Sequence, residues 1–242
     1  MSDQLGDRMK RFEDACRYTL TPRMPIIIRV DGKAFHSLLR KAERPWDAAI
    51  EHAMNVVAIE LCIEAQGACL AYVQSDEVSV LLHPYKTHQT QPWLSGSVQK
   101  IASISSSIAT LAFNSNAPSA FAHAYFDARV FVVPEPDVCN AMLWRQKDAE
   151  RNSIQMLARH HFSYKQVFGK SCSELQEMLF KEKNINWNDT PTGRKRGRCA
   201  IRETYEREGA IRYRWVIDNE IPLFSTDRGY IEKHLVTEED KQ

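Results

Sequence analysis

Carboxylates stand at two turns of this 242-residue sequence in a way that could support phosphoryl chemistry. Asp31-Gly32 closes the apolar run Ile26-Ile27-Ile28-Arg29-Val30, and Gln74-Ser75-Asp76-Glu77 separates two further apolar runs, Cys69 to Val73 and Val78 to Leu82. If Asp31 and Asp76 converge, with the backbone carbonyl of Gly32 beside them, the oxygens make a site suited to magnesium, which retains waters and takes phosphate oxygens as its remaining ligands. Two such ions clamp an in-line displacement, one activating the attacking hydroxyl and one neutralising the departing pyrophosphate. Asp-Gly and Ser-Asp are also common turn dipeptides, and either stretch alone is more often punctuation. The weight therefore falls on the elements around them.

The run at residues 26–30, rich in β-branched side chains, preceded by Pro25 and stopped by Gly32, predicts a buried strand. From Trp46 to Glu64, Ile50, Ala53, Met54, Val57 and Leu61 recur at helical spacing between Pro45 and Gly67, which predicts a helix. The runs on either side of Gln74 to Glu77 predict a hairpin with acids at its tip. After a linker from His83 to Pro92, the shared face of Val98, Ile101, Ser105, Ile108, Leu111 and Ala112 predicts a second helix. Tyr125 to Val133, closed by Pro134, predicts a fourth strand. Strand, helix, strand, strand, helix, strand is the split βαβ or ferredoxin-like order, an α+β arrangement with both helices on one face of an antiparallel sheet. Its first and third strands are central neighbours, which sets Asp31 facing Asp76. Acids so placed repel one another unless a cation joins them. The fold serves many unrelated functions and identifies none by itself.

From about residue 137 the sequence reads as helical through 162 and again from Ser171 to Glu182, then as a basic loop. The expected organisation is a catalytic core over residues 1–136 and a helical and basic extension over 137–242, packed on that core as a single compact unit. Between Thr190 and Arg214 eight Arg or Lys stand against three Glu, centred on Arg194-Lys195-Arg196-Gly197-Arg198. Such a patch could grip phosphates, or be a solvated basic loop.

With 43% hydrophobic and 26% charged residues and a formal net charge of +1, the composition is that of a folded soluble protein and gives no global pull toward nucleic acid. No run approaches the roughly 20 apolar residues of a membrane helix, and Met1-Ser2-Asp3-Gln4 opens no basic-then-apolar leader. The six cysteines form no CxxC pair, so neither a zinc site nor a disulfide framework is indicated. A cytoplasmic protein with reduced thiols and no membrane association is expected.

Arg29-Val30-Asp31-Gly32-Lys33-Ala34-Phe35-His36 resembles the RLDGRxFH segment of the tRNA-His guanylyltransferase family, and Gln74-Ser75-Asp76-Glu77 resembles its QSDE segment. Phe126-Asp127-Ala128-Arg129-Val130 is similar to the family's FDGRV, Trp144-Arg145-Gln146-Lys147-Asp148 to WRQxD, and Asn184-Ile185-Asn186-Trp187-Asn188 to NINYN. The five matches stand in order and span about residues 25 to 200. The resemblance implies a palm-type nucleotidyltransferase acting at the 5′ end of tRNA, with GTP and ATP as substrates. It also implies two magnesium ions held by Asp31, the Gly32 carbonyl and Asp76, with Glu77 as a supporting catalytic acid.

The nucleotide pocket implied by the resemblance is lined by Arg29, Asp31, Gly32, Lys33, Ala34, Phe35 and His36, together with Arg44, Ser75 and Asp76. Backbone amides and Lys33 would meet phosphate oxygens there. Phe35, led into by an apolar strand, reads as core, and Lys33 reads equally as a solvated turn lysine. Arg44 stands approximately where a family lysine reaches the triphosphate. tRNA is implied to meet Arg129, Arg145, Asp148, Asn152 and Asn186, with Arg194, Lys195, Arg196 and Arg198. Family members resemble tetramers, so a homo-oligomer is expected.

One segment departs from the family pattern. Where the eukaryotic enzymes carry HINN, this sequence has Glu150-Arg151-Asn152-Ser153 and keeps only the first asparagine. HINN accompanies untemplated addition of guanosine to tRNA-His. Its loss resembles the bacterial and archaeal branch, which copies the opposite strand of the acceptor stem and repairs truncated 5′ ends. Template-dependent 3′-to-5′ addition is the expectation. The competing readings are untemplated guanosine addition, a cyclase or conventional polymerase on the same scaffold, and a non-catalytic RNA-binding module.

Overall fold

The computed structural model describes residues 4–87 and 89–236; the readings at Met1 to Asp3, and His88 of the linker, lie outside them. Four strands, β1 (Ile26–Gly32), β2 (Ala68–Gln74), β3 (Glu77–Leu82) and β4 (Phe126–Val132), lie in the order β4-β1-β3-β2, all antiparallel, as the split βαβ pattern requires. Register puts Asp31 directly opposite Glu77 on one side and Asp127 on the other.

Helix α1 (Gln4–Asp14) precedes the sheet, and the short α2 (Phe35–Leu38) follows β1. Helices α3 (Ala48–Glu64) and α4 (Val98–Asn116) cover one face, where Met54, Val57, Leu61, Ile101 and Phe113 bury Ile26, Ile28 and Val30. α3 starts at Ala48 rather than Trp46 because Asp47 caps it: its Oδ1 accepts the N–H groups of Ala49 and Ile50 at 3.0 and 3.2 Å.

The opposite face is crossed by α5 (Glu135–His161), whose Val138, Cys139 and Met142 pack on Ile27, Leu70, Tyr72 and Leu81. Strands covered on both sides need apolar residues at nearly every position, which is why 26–30 and 78–82 read as continuous runs rather than alternations. Two further helices, α6 (Tyr164–Val167) and α7 (Cys172–Lys183), pack on the far end of α5 through Leu157, Val167, Leu175 and Leu179. α7 opens with a capping box, in which the Ser171 hydroxyl accepts the Glu174 N–H and the Glu174 carboxylate accepts the Ser171 N–H.

The segment expected to be a basic loop is not one. After α8 (Thr192–Arg196), β5 (Arg198–Arg207) pairs with β2, and β6 (Ala210–Asp218) pairs with β5, extending the sheet to β4-β1-β3-β2-β5-β6; a last turn of helix, α9 (Gly229–Glu232), follows. Arg198, Cys199 and Ala200 are buried, but the outer half of this hairpin is exposed on both faces. It therefore carries no apolar alternation to betray a strand.

Gly197 makes the entry to β5 possible. Its φ is +83°, and a Cβ there would sit 2.6 Å from both the Tyr72 hydroxyl and the Val73 carbonyl oxygen. The Tyr72 hydroxyl uses that close approach to donate to the Arg196 carbonyl at 2.7 Å. All six cysteines are unpaired, and no helix among the described residues is long and apolar enough to cross a membrane.

Candidate active site

β1 and the β2–β3 hairpin deliver their acids to one end of the sheet. The Gly32 N–H donates to the Asp76 carbonyl at 3.0 Å, and this bond fixes the end of β1 against the hairpin tip. Gly32 itself is required by packing: a Cβ would lie 2.3 Å from the Phe35 ring. That ring is buried in edge contacts with Phe113 and Phe126 at 5.1 and 5.2 Å between centroids, so Phe35 is a core residue that holds the turn.

Burial raises the Asp31 carboxyl above its ordinary range, and the Asp127 carboxylate opposite raises it further, while Arg129, Arg29 and Arg145 pull the other way. Asp76 is likewise raised by burial, with Asp31 adding to the effect and a Ser75 hydrogen bond opposing it. Two half-buried acids that resist ionisation are stabilised by a shared cation. The donors are all oxygen, the chemistry magnesium prefers, and it needs only one or two carboxylates when phosphates supply the rest. The residues present therefore fit that ion.

Glu77 is differently employed. Both of its oxygens accept from Arg145, Nε to Oε1 at 2.7 Å and Nη2 to Oε2 at 2.8 Å, in a pair whose side chains are about nine-tenths buried. Arg145 also donates to Asp148 at 2.9 Å, and Asp148 in turn pairs with Arg151 and accepts from Asn152 at 3.3 Å. Glu77, Arg145 and Asp148 thus form a strut between the hairpin and α5. Arg145 and Asp148, read from sequence as tRNA contacts, point into the protein. Beside them Trp144, 57% exposed, is flanked by the guanidinium groups of Arg145 and Arg29 at 4.6 and 5.5 Å from its ring. Arg129 is exposed opposite Arg29 on β4.

A cleft of about 830 Å³, including its open mouth, leads away from Asp76. Its walls are Leu39, Arg44, Trp46 and Asp47 before α3, Gln74 and Ser75 of the hairpin, Asn152 and Met156 of α5, and Gly193, Arg194 and Arg198. Arg44, Ser75, Asp76 and Asn152 are therefore brought together. Lys33, Ala34 and His36 are exposed and lie outside this cleft. The Gly32 and Lys33 amides are already spent, Lys33 N–H on the Tyr125 carbonyl at 2.8 Å. Those of residues 34–36 open α2, where intrahelical partners do not exist.

The basic segment is mostly an anchor. Arg194 grips Glu51 of α3 through two nitrogens, and its guanidinium lies 5.6 Å from the Trp46 ring. Arg198 is only 5% exposed and donates to the Asn55 side chain and, at 3.1 Å, to the Glu51 carbonyl. Lys195 donates to the Asn188 carbonyl at 2.5 Å. Arg194 and Arg198, expected from sequence to meet tRNA, thus hold α8 and β5 to α3, Arg198 from a buried position and Arg194 while also lining the cleft. Asn186 caps its own turn, its side-chain oxygen accepting the Asn188 N–H at 3.1 Å.

Sequence reasoning missed Trp46, Asp47, Glu51 and Asn55. Asp47 was findable, since an Asp just before a periodic apolar segment is a capping signal. The partners of Glu51 and Asn55 lie more than a hundred residues away, and no local signal marks them.

A family model for tRNAHis guanylyltransferase matches residues 6–134. A tRNA(His) guanylyltransferase of Schizosaccharomyces pombe is 30% identical over 226 residues, covering 86% of this chain and 84% of its own. An uncharacterised protein of Acanthamoeba polyphaga mimivirus, R259, is 30% identical over 81% of this chain and 76% of its own. Among solved structures, a bacterial tRNA(His) guanylyltransferase-like protein in complex with ATP superposes with a TM-score of 0.91 at 42% identity, over 96% of this chain and 99% of that one. The Saccharomyces cerevisiae enzyme, at 21% identity and a TM-score of 0.70, shares the fold. The family model covers more than half of the chain, and the chain belongs to the tRNA-His guanylyltransferase family of nucleotidyltransferases.

Proposed function

We propose that this enzyme extends the 5′ end of tRNA by template-dependent 3′-to-5′ addition, repairing ends that lack a nucleotide. The observation that carries the reading is the segment 150–153. Ser153 is buried, its hydroxyl lying 2.9 Å from the Glu150 carbonyl and 3.1 Å from the Lys195 carbonyl while accepting the Trp187 Nε1–H at 3.0 Å; it serves the scaffold. Arg151 is paired with Asp148. Of these four residues Asn152 and Ser153 line the cleft, and the Ser153 hydroxyl is already engaged, so the segment offers little beyond Asn152 with which to select a guanine in the absence of a partner base. The bacterial relative at 42% identity is itself described as guanylyltransferase-like.

In this reading Asp31, the Gly32 carbonyl and Asp76 would hold magnesium, which when bound would polarise the phosphoryl group and make the attacking hydroxyl more acidic. A nucleoside triphosphate occupies the cleft, its phosphates toward Asp76 and Ser75 and within reach of Arg44, and Trp46 provides apolar surface. The Glu77–Arg145 pair sets the position of the neighbouring Asp76. Arg129 and Trp144, exposed on the same side of the sheet as Asp31, are placed to meet the tRNA end.

The test is to vary the base opposite the missing 5′ nucleotide through all four identities and to measure incorporation of each nucleotide. A mismatch leaves buried polar edges unpaired at roughly 1–3 kcal/mol per group, so about ten- to hundredfold preference for the complementary nucleotide is expected. Guanosine added at equal rates whatever the opposite base would show the enzyme to be untemplated.

A homo-oligomer belongs to the same proposal. α1 buries none of its residues and leaves Leu5, Met9 and Phe12, at helical spacing, between 43% and 69% exposed. Native mass measurement is expected to give a multiple of 27.9 kDa, reduced toward one chain by Leu5→Glu with Phe12→Glu. A monomeric wild-type chain would refute this part.

A further inference from the structure

At the other end of the sheet, where β2 begins and β3 stops, a second cleft encloses about 1270 Å³ including its open mouth. β3 alone spans roughly 20 Å, so this cleft is remote from Asp76. Lys86, Arg202 and Lys233 stand around it, with His83, His234 and Trp215, and no Asp or Glu is among its described lining residues. None of the three cations is joined to a carboxylate among the described residues. Arg202 instead lies over the rings of Tyr213 and Trp215 at 4.8 and 5.9 Å, and Lys233 lies over Tyr230 at 4.5 Å, contacts that orient a cation without neutralising it.

The second observation is at the floor. His83 is 4% exposed, and neither of its ring nitrogens closes a full hydrogen bond among the described residues, although the Leu235 and Val236 backbone lies beside the ring; the buried Nε2 of His234 has no hydrogen-bond partner among them either. Buried donors and acceptors are nearly always paired, and one left open beside a cavity marks a missing partner. Burial depresses both imidazoles, His234 to about 4, with Lys233 adding to the effect there. Both are therefore mainly neutral near pH 7, and a neutral imidazole carries one N–H that it can turn toward an anion.

We propose that this cleft is a second phosphate-binding site, in which Lys86, Arg202 and Lys233 supply charge and His83 and His234 supply hydrogen bonds to a polyphosphate group. Three cations with no ion pair among the described residues, and beside them two buried imidazoles, match an anion of several charges and several acceptor oxygens better than a single carboxylate. The phosphates could come from free pyrophosphate or a nucleoside triphosphate, or from an RNA backbone.

The probe is pyrophosphate added to the full chain without divalent metal, with the imidazole resonances of His83 and His234 followed by NMR. Saturable shifts of both are expected, and Lys86→Ala with Lys233→Ala should raise the midpoint by about tenfold or more. The charge-preserving pair Lys86→Arg with Lys233→Arg should stay near wild type. Both lysines are exposed, so the variants should fold, which a thermal melt checks. Two further arms identify the source. ATP shifting the same resonances with tRNA affinity unchanged in the alanine pair assigns a free nucleotide; weakened tRNA binding without an ATP response assigns the RNA backbone. Absence of saturable shifts with pyrophosphate, ATP and tRNA alike, or an unchanged midpoint in the alanine pair, would overturn the site.

Discussion

Asp31→Ala and Asp76→Ala are each expected to lower nucleotide addition by about a thousandfold or more, the rate equivalent of the several kcal/mol that a metal clamp contributes, while the protein remains folded. Neither side chain belongs to the apolar core, and each removes one of two acids that disfavour each other's charge. The melting temperature of the metal-free variants should therefore not fall. Both folded-state pKa values are raised above the ordinary 3.8, chiefly by burial. Their contribution to stability is then fully present below the unfolded values and is lost as pH rises through the folded ones. Magnesium should restore that loss, raising the melting temperature near neutral pH and much less near pH 4, and the gain should vanish in either alanine variant. Undiminished turnover in a folded Asp31→Ala or Asp76→Ala protein would remove these acids from the mechanism.

Arg145→Ala is expected to cost about 3–5 kcal/mol, because it leaves Glu77 buried with its paired counter-charge gone and only a long Ser79 hydroxyl contact at 3.5 Å. For a chain of this size that is roughly 10 °C in melting temperature. Arg145→Lys should recover little, since an ammonium cannot make the paired bonds to both Glu77 oxygens. By contrast, Glu77→Gln combined with Arg145→Met, which removes both charges, should melt closer to wild type than Arg145→Ala does. Nucleotide addition should stay low in that double variant, since the strut that positions Asp76 is gone. Equal melting temperatures for Arg145→Ala and wild type would show the pair to be a passive surface contact.

The half of the protein bearing the acids was readable because two periodicities coincide with burial. Ile50, Met54, Val57 and Leu61 mark α3 by helical recurrence, and the β-branched run before Asp31 marks β1 by composition. The turn at Ser75, φ +49°, falls in the polar interval where a hairpin was expected. The rest failed for physical reasons. In β5 and β6, Arg202, Glu203, Arg212 and Arg214 face solvent on a hairpin open on both sides, so charge hides the strand. The Glu77–Arg145 bond joins residues 68 apart, and the Arg194–Glu51 bond residues 143 apart. Motif order named the right neighbourhood, but it could not tell a residue that meets a ligand from one that holds the wall behind it.

The sheet order also constrains how the protein can be made. β2 lies inside the sheet only because β5, far later in the chain, pairs with its outer edge, and Glu77 meets its counter-charge only once α5 exists. During translation the ribosome delivers Asp31 and Asp76 early, in a nascent segment that has an open edge strand and an uncompensated buried acid. Such a segment invites pairing with other chains. Chemical competence is thus withheld until the late part of the polypeptide has emerged, and a chain interrupted after β4 would yield an aggregating stub rather than a slower enzyme.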